Sequence, residues 1–120
     1  MTVPGHRHER IAEEIRHEVG IMLEGELKDP RILGLVTVTE VRVSAGLKQA
    51  RVFVSVLGSE SEQQSTLKGL VAAAGYVRLE IGQRLQLRRG PEIHFVLDRS
   101  EEYAQHIEDL LRQTKKADSP

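Results

Sequence analysis

Residues 35–58 read LVTVTEVRVSAGLKQARVFVSVLG, and the alternation within them decides the fold. Val52, Val54 and Val56 alternate with Arg51, Phe53 and Ser55, the period of a strand with one buried face. Upstream, Val36 and Val38 share one phase of the same period, and Val41 and Val43 share the other. A strand that changes phase without stopping carries a bulge or bend, here near Thr39–Glu40. Ala45-Gly46 marks a turn between the two runs, and so short a connection makes them an antiparallel hairpin. Phe53 stands in the phase opposite the valines; burial in the core is still the expectation for its ring.

Gly58-Ser59 closes the hairpin. Ser59 and Glu62 have capping-box spacing and predict a helix start. Leu67, Leu70, Val71 and Ala74 give that helix an apolar face, Gly75 interrupts it, and Val77, Ile81 and Leu85 resume it until Pro91. This pattern predicts two helices meeting at a kink at Ala72-Ala73-Ala74-Gly75, where glycine allows a bend and the alanines let another backbone approach. An unbroken helix through 67–85 would be about 28 Å long, long for so small a sheet. Glycine would supply the bend by tolerating φ > 0. In that geometry Gly75→Ala is destabilising, whereas the same change inside a continuous helix is stabilising.

Ile93, Phe95 and Leu97 alternate as a third strand, with His94 facing away from them. Asp98 and Glu101 repeat the capping-box spacing, and Tyr103, Ile107, Leu110 and Leu111 form the stripe of a last helix. At the other end, Ile11, Ile15, Val19 and Met22 fall within ~80° of one another at ~100° per residue, one apolar stripe of a helix from about His6 to Lys28 that Pro30 stops. The order is α-β-β-α-(kink)-α-β with a C-terminal helix. A helical crossover between the second and third strands favours a parallel pair, so the sheet is three-stranded and mixed, and the class is α+β. The expected domain covers 6–112, with flexible ends at 1–5 and 113–120.

The chain has 120 residues, 39% of them apolar, no cysteine and a net charge of −1. It is long enough for one core, and thiolate metal sites and disulfides are excluded. No apolar run approaches a membrane span, and the first ten residues lack the apolar segment of a secretion signal; a cytoplasmic location, away from membranes, is expected. The charge is unevenly spread. Residues 1–30 carry −3, 31–59 carry +3, 76–100 carry +2 and 101–120 carry −2.

Catalytic signatures are missing: there is no phosphate loop, no nucleophile elbow and no His-Glu-x-x-His. Glu13-Glu14, Glu101-Glu102 and Glu108-Asp109 are neighbours on helices, diverge by ~100° and cannot converge on a substrate. His6 and His8 lack a third ligand nearby. No catalytic residue, metal or cofactor is therefore expected. With two Phe, two Tyr and no Trp, the chain cannot build the aromatic platform that single-strand RNA modules use. The basic run Arg78, Arg84, Arg88 and Arg89, ending at Gly90-Pro91, suits phosphate recognition; Arg7 and Arg10 on the first helix are further candidates for RNA contact.

The chain resembles the ribosome-binding factor A family from about Arg7 to Leu111. The resemblance rests on Leu27-Lys28-Asp29-Pro30-Arg31, Val36-Thr37-Val38-Thr39 with Val41, Val43 and Ser44, and Val52 to Gly58. It continues through Ala73-Ala74-Gly75, Arg84-Leu85, Arg88, Pro91-Glu92-Ile93, Phe95, Asp98 and Ser100. It implies a type II KH-like domain in which Ala73-Ala74-Gly75 replaces the usual Gly-x-x-Gly loop. It also implies binding to the free 30S subunit or its precursor, contact with 16S rRNA, help in maturing the rRNA 5′ end, and release involving a partner GTPase. Gln83 stands where family members often carry a basic residue. The chain is expected to be a non-enzymatic monomer. The competing reading is a KH-like protein–protein adaptor without direct RNA contact, which the low net charge suggests.

Overall fold

A computed structural model describes residues 4–118. The elements are α1 (Pro4–Gly25), β1 (Leu35–Val43), β2 (Gln49–Leu57), α2 (Glu60–Arg84), β3 (Glu92–Leu97) and α3 (Ser100–Asp118). A short 3-10 turn, Ala45–Leu47, joins β1 to β2. The strands lie in the order β1-β2-β3, the first pair antiparallel and the second parallel. This is the expected α+β architecture with a mixed three-stranded sheet.

The register of β1 against β2 shifts between Val38 and Glu40, so Thr39 is the extra residue of a bulge. The shift restores the valine phase. Val38 and Val41 are both buried, and Val36 and Val43 both pack against the same core. Without it, Val41 and Val43 would face water, at about 1.5–3 kcal/mol for each fully buried side chain. Ala50, Val52, Val54 and Val56 of β2 and Ile93 and Phe95 of β3 complete the buried face. Ile11, Ile15, Val19 and Met22 of α1 and Leu70, Val77 and Ile81 of α2 cover it from one side. Phe53 does not join them. It is half-buried on the opposite face, with the Arg42 guanidinium 5.4 Å from its ring centre.

The helix positions need three corrections. First, α2 is one continuous helix of 25 residues, and its backbone stays helical through Ala73, Ala74 and Gly75. Gly75 has no positive φ, and an added Cβ would meet nothing within 4 Å. The buried residues Gln63, Thr66, Leu70, Val77 and Ile81 explain why no bend is needed. At ~100° per residue they form one stripe running past Gly75, which lies well off it on the outer side. Val71, which the sequence pattern places on the inner face, is exposed. Second, α1 ends at Gly25, ahead of Lys28 and Pro30. Third, α3 continues to Asp118, and α1 already begins at Pro4.

The capping box of α2 is present: the Ser59 hydroxyl accepts from the Glu62 backbone N–H, and the Glu62 carboxylate accepts from that of Ser59. Asp98 starts α3 differently. Its carboxylate accepts from the Ser100 backbone N–H at 2.9 Å and from the Thr39 hydroxyl at 2.6 Å, tying the helix start to the bulge. The Ser100 hydroxyl also donates to it, and these bonds hold its pKa below the usual carboxylate range, the Ser100 hydroxyl first, the Thr39 hydroxyl next and the Ser100 backbone N–H after them.

A glycine in the interior of a straight, exposed helix surface costs about 0.8–1 kcal/mol relative to alanine. Gly75→Ala is therefore expected to raise stability by up to about 1 kcal/mol in chemical denaturation. A loss of stability would restore the bent geometry.

Candidate nucleic-acid interface

The strand register brings three segments to one end of the molecule. Gln49 pairs with Glu92, so the β1–β2 turn lies beside the start of β3, and the Glu92 N–H donates to the Lys48 carbonyl at 2.8 Å. The 86–90 loop leading out of α2 arrives at the same place. The N-terminal part of α1 completes it: Arg7, Lys48, Arg78, Arg88 and Arg89 line one cleft together with Leu87 and Gly90, and Glu92 is its acidic member. An adjoining cleft on α2 is lined by Gly75, Leu79, Gln83, Leu87 and again Arg78, Arg88 and Arg89. The two share the arginines and form one basic groove with an apolar floor.

Local packing fixes the loop that carries Arg88 and Arg89. The Arg78 Nε donates to the Gly90 carbonyl at 2.8 Å. Gly90 presses so closely on α2 that any Cβ there would run into the Arg78 carbonyl oxygen. Gly82 matches it from the helix, where an added Cβ would lie 3.1 Å from the Gly90 nitrogen. Two glycines in contact thus let the loop lie against α2, and its two arginines project from a rigid base. Neither Arg88 nor Arg89 forms an ion pair among the described residues.

Arg84 belongs to a different structure. Its guanidinium reaches Glu26 at 2.6 Å, Glu18 at 3.2 Å and Glu80 at 3.3 Å, with its side chain only 25% exposed. It clamps the end of α2 to α1 and does not line the groove. The hydrogen bond from Arg84 is the main reason the Glu26 pKa lies below the usual carboxylate range, and the three carboxylates raise the Arg84 pKa further still. Tyr76 donates to Glu26 and Glu80 at the same cluster, and burial, followed by those two charges, raises its pKa.

Of the six candidate arginines, the structure therefore brings together Arg7, Arg78, Arg88 and Arg89. It sets Arg84 apart, and Arg10, one turn along α1, is exposed but outside the residues lining the groove. Gly75 lines the groove as flat helix surface, while Ala73 and Ala74 do not. Sequence reasoning missed Lys48, a lone cation in a hairpin turn, and Gly90, whose role depends on contact with α2. It also missed the partners of Arg84, although Glu80 at i−4 was an available signal. Among the described residues, no three acidic or histidine side chains are placed to hold a metal ion, and no helix is long and apolar enough to cross a membrane.

A family model described as "Ribosome-binding factor A" matches residues 7–111. The ribosome-binding factor A of Acetivibrio thermocellus is 51% identical over 108 residues, covering 90% of this chain and 88% of its own. A Thermotoga maritima protein solved by solution NMR and described as a ribosome binding factor A superposes with a TM-score of 0.68 at 34% identity, over 80% of this chain and 91% of that one. A homology model of the Thermus thermophilus factor, fitted into a cryo-EM map of a 30S complex, gives a TM-score of 0.61 at 25% identity, over 73% of this chain and 91% of that one.

The clamp predicts a split between the arginines. Arg84→Ala is expected to lower Tm, because it leaves three carboxylates facing one another, while Arg88→Ala and Arg89→Ala leave Tm unchanged. Glu26 has a lowered pKa in the folded state, so its contribution is present above the unfolded carboxylate pKa of about 4.3 and is lost as pH falls through the folded value. The Tm difference between wild type and Arg84→Ala is accordingly expected to persist at pH 7 and to shrink below about pH 4. A difference that persists unchanged in acid would contradict the clamp.

Proposed function

This chain belongs to the ribosome-binding factor A family, and from that premise we propose that it docks on the free 30S subunit or its precursor through the groove at the hairpin end of the molecule. The observation that carries the reading is the gathering there of five cations, Arg7, Lys48, Arg78, Arg88 and Arg89, from four separate segments. Guanidinium groups on a rigid base suit the phosphates of a folded RNA, which is read largely by shape and backbone. The apolar floor of Leu79 and Leu87 and the side-chain-free surface at Gly75 let an RNA backbone approach closely.

The contact is with 16S rRNA, and the outcome is late maturation of the particle, including processing of the rRNA 5′ end. The chain acts as a cytoplasmic monomer and supplies no catalysis; binding stabilises one arrangement of the rRNA, and cutting is left to a nuclease. A factor that binds without turnover needs a release step, which falls to a partner GTPase. The relatives carry names for ribosome binding and none for an enzymatic reaction, in keeping with a site made of arginines and glycines.

Replacing Arg7, Arg88 and Arg89 together by alanine removes three phosphate contacts and leaves the clamp intact. The slope of log K against log salt for binding to purified 30S subunits is expected to flatten by about 2–3 units, at ~0.7–0.9 per contact, with Tm unchanged. An unchanged slope would move the RNA-facing surface elsewhere.

A further inference from the structure

The last helix departs from the body of the protein. Arg99 pairs with Glu60 at 2.7 Å, and Gln63 donates to Glu102 at 2.6 Å, so the root of α3 is fixed to the start of α2. Beyond that root every described side chain from 103 to 114 is exposed. Tyr103 is 69% exposed, Ile107 38%, Leu110 45% and Leu111 59%. At ~100° per residue these four fall within about 100° of one another, while Glu101, Glu108, Asp109 and Arg112 lie on the opposite side. The radius of gyration, 17.7 Å, exceeds the roughly 14 Å of a compact chain of this length, as a projecting arm requires.

We infer that α3 is a protein-binding arm whose apolar stripe docks in a groove of a positively charged protein on the small ribosomal subunit; this rests on the docking reading above. Charge selects the occupant. Residues 100–114 hold four carboxylates and one arginine, and 100–118 carry a net charge of −2. Such a helix is repelled by a phosphate backbone. A second copy is disfavoured by size: the stripe from Tyr103 to Leu111 is about 12 Å long, and two helices meeting along it bury far less than the roughly 1,200 Å² of a stable interface. An amphipathic helix with anchors at i, i+4, i+7 and i+8 fits the groove of another protein. A protein that sits against rRNA must itself be basic at its surface, and its field attracts the acidic helix and steers the stripe toward the groove, while the carboxylates opposite the stripe stay in water. The arm leaves from the end of the sheet where Leu35 pairs with Leu57, opposite the end that carries the basic groove, so both contacts can form at once.

The test places the photoreactive amino acid p-benzoylphenylalanine at position 103 of the full chain and irradiates it bound to purified 30S subunits. The expected product is a cross-link to a protein of the subunit. Ile107→Asp and Leu111→Asp are each expected to abolish it and to weaken subunit binding at least about tenfold, with Tm unchanged because both side chains are exposed and lie beyond the root that holds α3. Cross-links to rRNA or to a second copy overturn the inference, as does unchanged affinity in both variants. Co-sedimentation without any protein cross-link overturns it alone. Failure of the unsubstituted protein to sediment with the subunit overturns the docking reading, and the arm with it.

Discussion

Thr39 adds to β1 one residue that has no partner on β2, and that shift keeps Val36, Val38, Val41 and Val43 on a single side of the sheet. A sheet with one apolar face can be covered by one layer of helices, so α1 and α2 must lie side by side on it. Their proximity brings Glu18 of α1, and Glu26 just past its end, within reach of Arg84 on α2. The same one-sidedness leaves Arg42, Arg51, Phe53 and His94 on a face that no helix covers among the described residues. The bulge is also braced from outside, since the Thr39 hydroxyl donates to Asp98 at the start of α3. A single register shift thus sets the core, the helix pairing and the direction in which the last helix leaves.

The charge distribution follows from that geometry. A slightly acidic chain is a poor candidate for RNA binding if its charge is averaged. In the fold, however, acidic α1 and α2 side chains neutralise Arg84 at the helix junction, and the acidic C-terminal helix is carried to the far end. What remains at the hairpin end is a cluster of cations with Glu92 as its acidic neighbour. A focused positive surface attracts phosphate through its local field, whatever the net charge of the molecule. Placing the carboxylates of α3 beyond the Debye length of about 8 Å leaves that field largely undiminished at physiological salt.

Features set by neighbouring residues were legible in the sequence. The hairpin, the bulge, the phase of β3 and the Ser59–Glu62 capping box all depend on patterns within a few residues, and the structure shows each of them. Features set by distant contacts were not. Gly75 looked like a break because Val71 was counted on the inner face, whereas the buried stripe passes through Thr66, Leu70 and Val77 without it. Arg84 looked like part of the basic run because its partners Glu18 and Glu26 lie 66 and 58 residues away. Phe53 looked like core because of its size, yet the strand phase that places it outward was the stronger signal. The stripe of α3 announced that something must cover it, and only the fold shows that no other described element does. The family resemblance supplied the functional class, while the separation of groove arginines from clamp arginine required the fold.

The absence of cysteine allows a direct test of the central claim that the hairpin-end groove faces rRNA. A single cysteine in place of Lys48 carries a tethered iron chelate that generates hydroxyl radicals, and the labelled protein is bound to 30S subunits. The account predicts localised strand cleavage in 16S rRNA from position 48, and little or none from a matched label in place of Glu108 on the acidic side of α3. Cleavage from position 108 with none from position 48 would contradict it.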